Sequence, residues 1–240
     1  ADEFRLLTDA VGGKGYRQID INLGCPFPMI AGKHKGAGML LYPAQVAEVL
    51  APIAEYPEIQ FSLKMRLGWE NASECMVLVE LLNTLRLSRI ALHARTGKQQ
   101  YKGHPDLEAF QGFYELCQHP LYYNGDIESL SDIRQILTRF PLLKGVFIGR
   151  GLLSSPLLAK EFKGNETFLP EQRMSIYFAF HEELFSAYSQ VLQGETQLLV
   201  KMKTLWEYFL PETDRKLLKR IKKSTRLQQY TESVKAIFTS

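Results

Sequence analysis

The stretch Ile19-Asp20-Ile21-Asn22-Leu23-Gly24-Cys25-Pro26 decides the fold. Its first five residues alternate apolar and polar side chains, the period of a β-strand with two unlike faces. The run then meets glycine, cysteine and proline. Proline carries no N–H for a strand ladder and fixes its own φ, so the strand stops and a thiol is left on a sharp turn at its carboxyl end. A cysteine of ordinary pKa, about 8.5, is mostly protonated near neutrality and can give a proton as readily as attack. A buried, inert thiol is the ordinary alternative; the turn position favours chemistry.

Outward from this stretch, short β-branched or apolar runs alternate with helical patterns as far as about Phe162, the signature of repeated βα units around a parallel sheet. Strands are predicted over residues 18–23, 61–66, 89–93, 121–124 and 145–148, and helices near 44–53, 73–85, 107–117 and 131–138, where apolar residues recur every three or four positions. Five such strands fit either a doubly wound open sheet or the last five strands of a (β/α)8 TIM-type barrel. The polar residues choose between them. Nearly every strand ends in a chemically loaded cluster: Asn22 and Cys25, Lys64 and Arg66, His93 and Arg95, Asn124 and Asp126, Gly149 and Arg150. A barrel gathers all its strand ends around one mouth, whereas an open sheet offers only its switch-point crevice. The barrel reading, with strands 4 to 8 represented, places roughly a third of a typical ~250-residue barrel upstream of Ala1. Phe4, Leu7 and Val11 read as one face of a helix that packs on that part.

From Pro170 the pattern changes to long amphipathic helices without strand signal; Leu198, Met202, Leu205, Trp206 and Phe209 form one stripe. The expected organisation is therefore an α/β barrel domain over 1–165 and an all-α domain over 166–240. In the second, Met174, Tyr177, Phe178, His181, Leu184, Phe185 and Tyr188 read as bundle core.

The chain has 240 residues, 45% hydrophobic and 23% charged, with a net charge of +3, an ordinary globular composition. Its longest apolar stretches are far too short to span a membrane, and no charged-then-apolar leader opens the sequence. Cys25, Cys75 and Cys117 are odd in number and lack paired-ligand spacing, which suggests neither a disulfide framework nor a metal site. A reducing cytoplasm and a monomer are the expectation.

The segment Asp20 to Pro26, followed by Gly36-Ala37-Gly38-Met39-Leu40-Leu41, resembles the signature of tRNA-dihydrouridine synthases. Lys64-Met65-Arg66-Leu67-Gly68, His93-Ala94-Arg95-Thr96, Asn124-Gly125-Asp126-Ile127 and Gly149-Arg150-Gly151 follow in that family's order. Each motif is weak alone; five together are strong. The match spans most of Tyr16 to Pro156, and the helical tail resembles the family's tRNA-binding domain more loosely. The loop from Phe27 to Lys35, with Lys33, His34 and Lys35 bunched in it, looks slightly longer than is usual in the family.

The resemblance implies FMN as cofactor, NADPH as reductant and tRNA as substrate. It implies hydride transfer to C6 of a uridine and a proton from Cys25 to C5. Lys64 then meets the negative charge that builds on the pyrimidine edge of a reduced flavin, a way of tuning the cofactor; a solvated or paired lysine is the plainer reading. His93 either bonds the flavin edge or is a satisfied core histidine. Arg66 and Arg95 are fork donors suited to flavin phosphate, base carbonyl or RNA phosphate. Asn124, Gly125, Gly149 and Arg150 suit the late-strand phosphate site that barrels frequently build. Asp126, of the wrong sign for phosphate, holds a ribityl hydroxyl or orders its turn. Asn22 reads the edge of an extruded base and Tyr101 stacks on it, or Tyr101 only packs. After Thr213, a candidate helix cap, Arg215, Lys216, Lys219, Arg220, Lys222 and Lys223 crowd one helix and, with Lys201 and Lys203, offer a surface for RNA phosphates; a solvated face is the commoner meaning of such a run.

Two rival readings remain. One is another FMN barrel acting on a free small molecule, of the dihydroorotate-dehydrogenase type, which leaves the basic tail without a purpose. The other is an RNA-binding fragment without catalysis.

Overall fold

The computed structural model describes residues 1–239. Compactness divides them into two units, one of residues 1–126 with 131–148, the other of 127–130 with 149 onward. The sequence boundary at 165/166 thus marks a change of pattern rather than of compactness.

Among the described residues the first unit holds a five-stranded sheet: β1 Gln18–Leu23, β2 Gln60–Gly68, β3 Leu87–Thr96, β4 Leu121–Asn124 and β5 Gly145–Phe147. All neighbours are parallel and the spatial order is β1-β2-β3-β4-β5. This order excludes the doubly wound alternative. Crossovers between parallel strands are right-handed, so a chain that always steps to the next position in one direction lays every connecting helix on the same face and never creates a switch point. Such winding is that of a βα barrel.

The two faces of the sheet differ accordingly. Toward the helices point Leu23, Phe61, Leu63, Met65, Leu67, Ile90, Leu92, Leu121 and Tyr123, all buried. They share the core with Val46, Leu50, Leu78, Val79, Leu82, Phe110, Phe113, Ile133 and Phe140 from the helices. Phe110 meets both Tyr123 and Phe140 edge-on at 5.0 Å between centroids, an arrangement favoured by the ring quadrupoles. The opposite face carries polar residues in register across the strands. One row runs Asn22, Lys64, Ala91, Tyr122, Gly145, and the next, nearer the strand ends, runs Arg66, His93, Asn124, Phe147. The period-2 alternation of side chains thus sends hydrocarbon to the helices and the chemistry-bearing groups to the other side.

The second unit consists of helices, the longest being Pro170–Val191, followed by Gly194–Leu205, Arg215–Lys223 and Leu227–Phe238. Its core includes Tyr177, Met202, Trp206, Phe209, Ile221, Tyr230 and Val234, with Met174, Leu184, Phe185 and Tyr188 packed against it. A polar relay lies inside this core. Trp206 Nε1 donates to the Tyr230 hydroxyl at 3.0 Å, and that hydroxyl lies 2.7 Å from His181 Nε2. The phenol oxygen accepts from the indole. Glu182 Oε1, 3.1 Å from Nδ1, can only accept, so in neutral His181 the proton sits on Nδ1 and Nε2 accepts a hydrogen bond from the Tyr230 hydroxyl. Among the described residues no helix is long and apolar enough to cross a membrane.

Candidate active site

The turn after β1 is built by its own side chains and by a glycine seat. Asn22 Oδ1 accepts the Gly24 N–H at 2.9 Å, closing a local turn that presents Cys25. The Cys25 carbonyl accepts the Ala37 N–H at 3.0 Å, from the first turn of a 3-10 helix over Gly36–Leu41. Gly36 has φ +56°, and a Cβ there would stand 2.8 Å from the Cys25 oxygen and 2.9 Å from its Cβ. Only glycine lets the backbone approach the cysteine so closely. At Gly38 a Cβ would come 2.2 Å from the Ala31 carbonyl oxygen, so the short helix Pro28–Ala31 rests on the same glycine-rich seat. Cys25 itself is half-buried.

Lys64 and His93 face the same side of the sheet from adjacent strands. Lys64 is half-buried, and among the described residues its ammonium meets neither a hydrogen-bond acceptor nor a carboxylate within ion-pairing distance. Burial, and then the Arg66 charge, push its pKa below the usual lysine range, while Asp20 acts against them. His93 is buried, with neither ring nitrogen hydrogen-bonded among the described residues. Burial first, then the Arg66, Lys64 and Arg95 cations, push the imidazole down to about 3, so it is neutral at any physiological pH. A neutral imidazole offers one donor and one acceptor rather than a second positive charge.

The two arginines are placed as braces. Arg66 Nε donates to the Gly24 carbonyl at 3.1 Å, and its Nη1 donates to the carbonyls of Thr96 and Gln100, both at 2.8 Å. Its guanidinium carbon lies 5.6 Å from the centroid of Tyr101, whose ring is itself 6.3 Å from that of His93. Arg95 grips Asp126 with both Nη atoms, a bidentate pair, and donates to the carbonyls of Lys102 and Gly103. The carboxylate raises the Arg95 pKa further. Both arginines are 1% exposed. Asp126 takes up a left-handed backbone with φ +38°, so of the two roles read for it the turn-ordering one has a visible partner. Asn124 Nδ2 donates to the Phe147 carbonyl at 2.9 Å, tying β4 to β5.

Asn22, Cys25, Lys64, Arg66, His93, Arg95, Tyr101, Asn124, Gly125 and Asp126 therefore all belong to the first unit. Asn22, Arg66, His93, Arg95 and Asn124 lie in the carboxyl-terminal parts of their strands and Cys25, Tyr101, Gly125 and Asp126 in the segments that follow. Lys64, read from the sequence as a strand end, sits midway along β2 because that strand continues to Gly68. Gly149 and Arg150 belong to the second, where they open the short helix Arg150–Ser154. One supporting residue escaped the sequence reading. The Glu74 carboxylate accepts the N–H groups of Trp69, Glu70 and Asn71 at 2.6, 3.1 and 2.8 Å and so fixes the loop after β2. The signal was present as Asn71-Ala72-Ser73-Glu74, a polar residue followed three positions later by a glutamate at a helix start.

The basic helix of the second unit is capped by Asp214, not by Thr213: the Asp214 side chain accepts the N–H groups of Lys216 and Leu217. Asp214 stands one residue closer to the first helical turn, and its carboxylate also complements the positive end of the helix. Arg215, Lys216, Lys219, Arg220, Lys222 and Lys223 are exposed. Lys216, Lys219, Arg220 and Lys223 line a hollow together with Gln229 and Ser233. Lys203 is placed differently; its ammonium donates to the Ser224 carbonyl at 2.9 Å, at the carboxyl end of the basic helix. Lys201 lies 5.3 Å over the Tyr188 ring. Among the described residues no cluster of three or more His, Cys, Asp or Glu could hold a metal ion.

Comparison with known proteins gives this arrangement a family. The family model described as dihydrouridine synthase matches residues 7–239. A probable tRNA-dihydrouridine synthase of Aquifex aeolicus is 36% identical over 149 residues, covering 60% of this chain and 46% of the relative. One of Rhizobium leguminosarum bv. phaseoli is 32% identical over 139 residues, covering 58% and 44%. The tRNA-dihydrouridine synthase B of Vibrio vulnificus is 28% identical over 174 residues, covering 70% and 54%. The chain spans about half the length of the curated relatives it matches.

Proposed function

The chain belongs to the dihydrouridine synthase family, and from that premise we propose that it carries the catalytic thiol and much of the flavin site of an enzyme that reduces uridine to 5,6-dihydrouridine in tRNA. The observation that carries the reading is the placement of Cys25 in the turn just after β1 while Lys64 and His93 lie on the same, polar face of the neighbouring parallel strands β2 and β3.

The donor set fits FMN. Lys64 brings a half-buried ammonium with no acceptor among the described residues, a group that gains most from an anionic partner. His93 brings a neutral imidazole, and Asn124-Gly125 a turn in which Gly125 has φ +150°. Lys64, His93, Asn124, Gly125 and Asp126 are the residues of the first unit proposed to hold the cofactor; the Gly149-Arg150 turn is proposed, from the family resemblance alone, as a phosphate ligand. When bound and reduced at the expense of NADPH, FMN supplies the hydride that C6 of the base accepts.

The protein's own residues then complete the addition across C5=C6. Cys25 gives its Sγ proton to C5 and is left as thiolate, to be reprotonated from solvent. Lys64 places a fixed cation where negative charge develops. Tyr101, 57% exposed, offers a stacking face to a base drawn out of the RNA, and Asn22 its carboxamide edge. Arg66 and Arg95, read from the sequence as substrate ligands, spend their donors on backbone carbonyls and, for Arg95, on Asp126, and are proposed to serve the substrate side only through the loop they hold. The exposed basic residues of Arg215–Lys223, with Lys201, neutralise tRNA phosphates. The enzyme is proposed to work as a cytoplasmic monomer.

The test uses the full-length protein. It should purify with flavin absorbance, bind tRNA in a salt-sensitive way, and with NADPH convert uridine in unmodified tRNA transcript to a nucleoside heavier by two hydrogen atoms. Flavin without tRNA binding would favour the small-molecule oxidoreductase; tRNA binding without flavin would leave only an RNA-binding protein.

A further inference from the structure

Arg66 stands at a junction that no side-chain motif announces. Its guanidinium is 1% exposed, yet among the described residues its hydrogen bonds run to backbone carbonyls rather than to a carboxylate. One of those carbonyls, Gly24, is the peptide bonded directly to Cys25. The other two, Thr96 and Gln100, bracket the loop after β3, and Gln100 precedes Tyr101 in a left-handed conformation with φ +53°. The arginine also lies under the Tyr101 ring at 5.6 Å and is near enough to Cys25 for the two to interact electrostatically. The far end of the loop is held independently, by Arg95 on the carbonyls of Lys102 and Gly103.

We infer that Arg66 is a positioning residue that fixes the thiol turn and the Tyr101 loop relative to each other, so that the proton donor and the stacking face are set as one unit. The inference rests on the proposed reaction for its catalytic meaning, but its geometric content does not. A planar fork can meet carbonyls from two chain segments at once, at angles set by one rigid group. A lysine in its place keeps the charge and has a single nitrogen on a flexible stem, which cannot span all three carbonyls. The role differs from that of a substrate ligand in a measurable way. A ligand's loss weakens binding, whereas loss of a positioning group leaves binding and removes alignment in the reacting complex.

The experiment compares full-length, flavin-loaded wild type with Arg66→Lys and Arg66→Gln. Three quantities are read: hydrogen exchange of the amides of Gly24, Ala37 and residues 99–102, the rate of Cys25 alkylation by a maleimide, and kcat and KM for tRNA reduction. The expected result is that both variants keep flavin, that the thiol turn and the loop lose exchange protection together by about tenfold or more, and that alkylation of Cys25 changes in parallel. In the same variants kcat falls by about tenfold or more while KM for tRNA stays within about twofold. Faster exchange confined to residues 99–102, with Gly24, Ala37 and the alkylation rate unchanged, would show a brace for the loop alone and overturn the inference. So would a rise in KM with kcat intact, which marks a substrate ligand, or a wild-type-like Arg66→Lys. Should Arg66→Gln fail to fold, Arg66→Lys, which keeps the charge in the buried site, decides by the same three readouts. If wild type itself forms no dihydrouridine, the proposed function fails, while exchange and alkylation still decide the positioning role.

Discussion

Acidification should destabilise the protein through His93, and the size of the effect can be worked out. The imidazole is buried among three cations and is pushed down to about 3 from an ordinary value of 6.5. Below about pH 6.5 the unfolded chain therefore takes up a proton that the folded chain refuses until about pH 3. Acid draws the equilibrium toward the unfolded side; stability that is fully present above pH 6.5 is lost as pH falls. Each pH unit inside that window costs about 1.4 kcal/mol per such group, so lowering pH from 7 to 5 removes roughly 2 kcal/mol through His93. His181, also held low chiefly by burial, adds a loss of the same sign. Urea unfolding of wild type and His93→Gln at pH 7, 6 and 5 isolates the His93 share, because all other groups cancel in the difference between the two proteins. The stability advantage of wild type over the variant should shrink by about 2 kcal/mol between pH 7 and 5. A difference that stays constant within about 0.5 kcal/mol would refute the claim that His93 sits neutral in a cationic pocket.

Asp126→Asn leaves the buried Arg95 charge without its bidentate partner and should cost about 3 kcal/mol, toward the lower end for a broken buried pair because the Asp126 side chain is 30% exposed; thermal or urea unfolding reads it. Gly36→Ala forces a Cβ to within 2.8 Å of the Cys25 oxygen in a left-handed backbone. It should cost about 1–3 kcal/mol and shift Cys25 alkylation, where an unmoved alkylation rate would separate the glycine seat from the thiol. Substituting Lys219 or Lys223 by alanine should lower the slope of log affinity for tRNA against log salt by about one unit each. Lys203→Ala, which removes the bond to the Ser224 carbonyl, should show its loss in melting temperature and leave that slope unchanged.

The winding of the sheet was legible because each strand carries its own signal. The alternation of Gln18–Leu23 and the run Leu121–Asn124 have the observed bounds, since Gly24-Cys25-Pro26 and Gly125-Asp126 punctuate them. β3 was read as shorter than it is. Its last residues, Ala94 to Thr96, look like the start of a polar loop, and only the pairing of Gly68 with Thr96 keeps them in the ladder. The 3-10 helix Gly36–Leu41 left no periodic trace, because glycines chosen for close backbone approach say nothing of helix. In the site, residue types were legible and their partners were not. A strand-end arginine looks the same whether it meets a phosphate or the carbonyls of Gly24, Thr96 and Gln100, which stand 42, 30 and 34 positions away. Backbone acceptors have no letter in a sequence. The pairing of Arg95 with Asp126 was half visible, since the sign of Asp126 already told against a phosphate.

Nucleoside analysis of tRNA bears most directly on the reaction. A strain lacking the gene is complemented with the full-length wild-type protein or with Cys25→Ala, and dihydrouridine is quantified in its tRNA while flavin is measured in the purified proteins. Wild type should restore dihydrouridine at the position lost from the deletion strain. Cys25→Ala should keep its flavin and fall short by a factor of about 10² or more in rate. Dihydrouridine unchanged by the deletion, or restored at full rate by Cys25→Ala, would contradict the assignment.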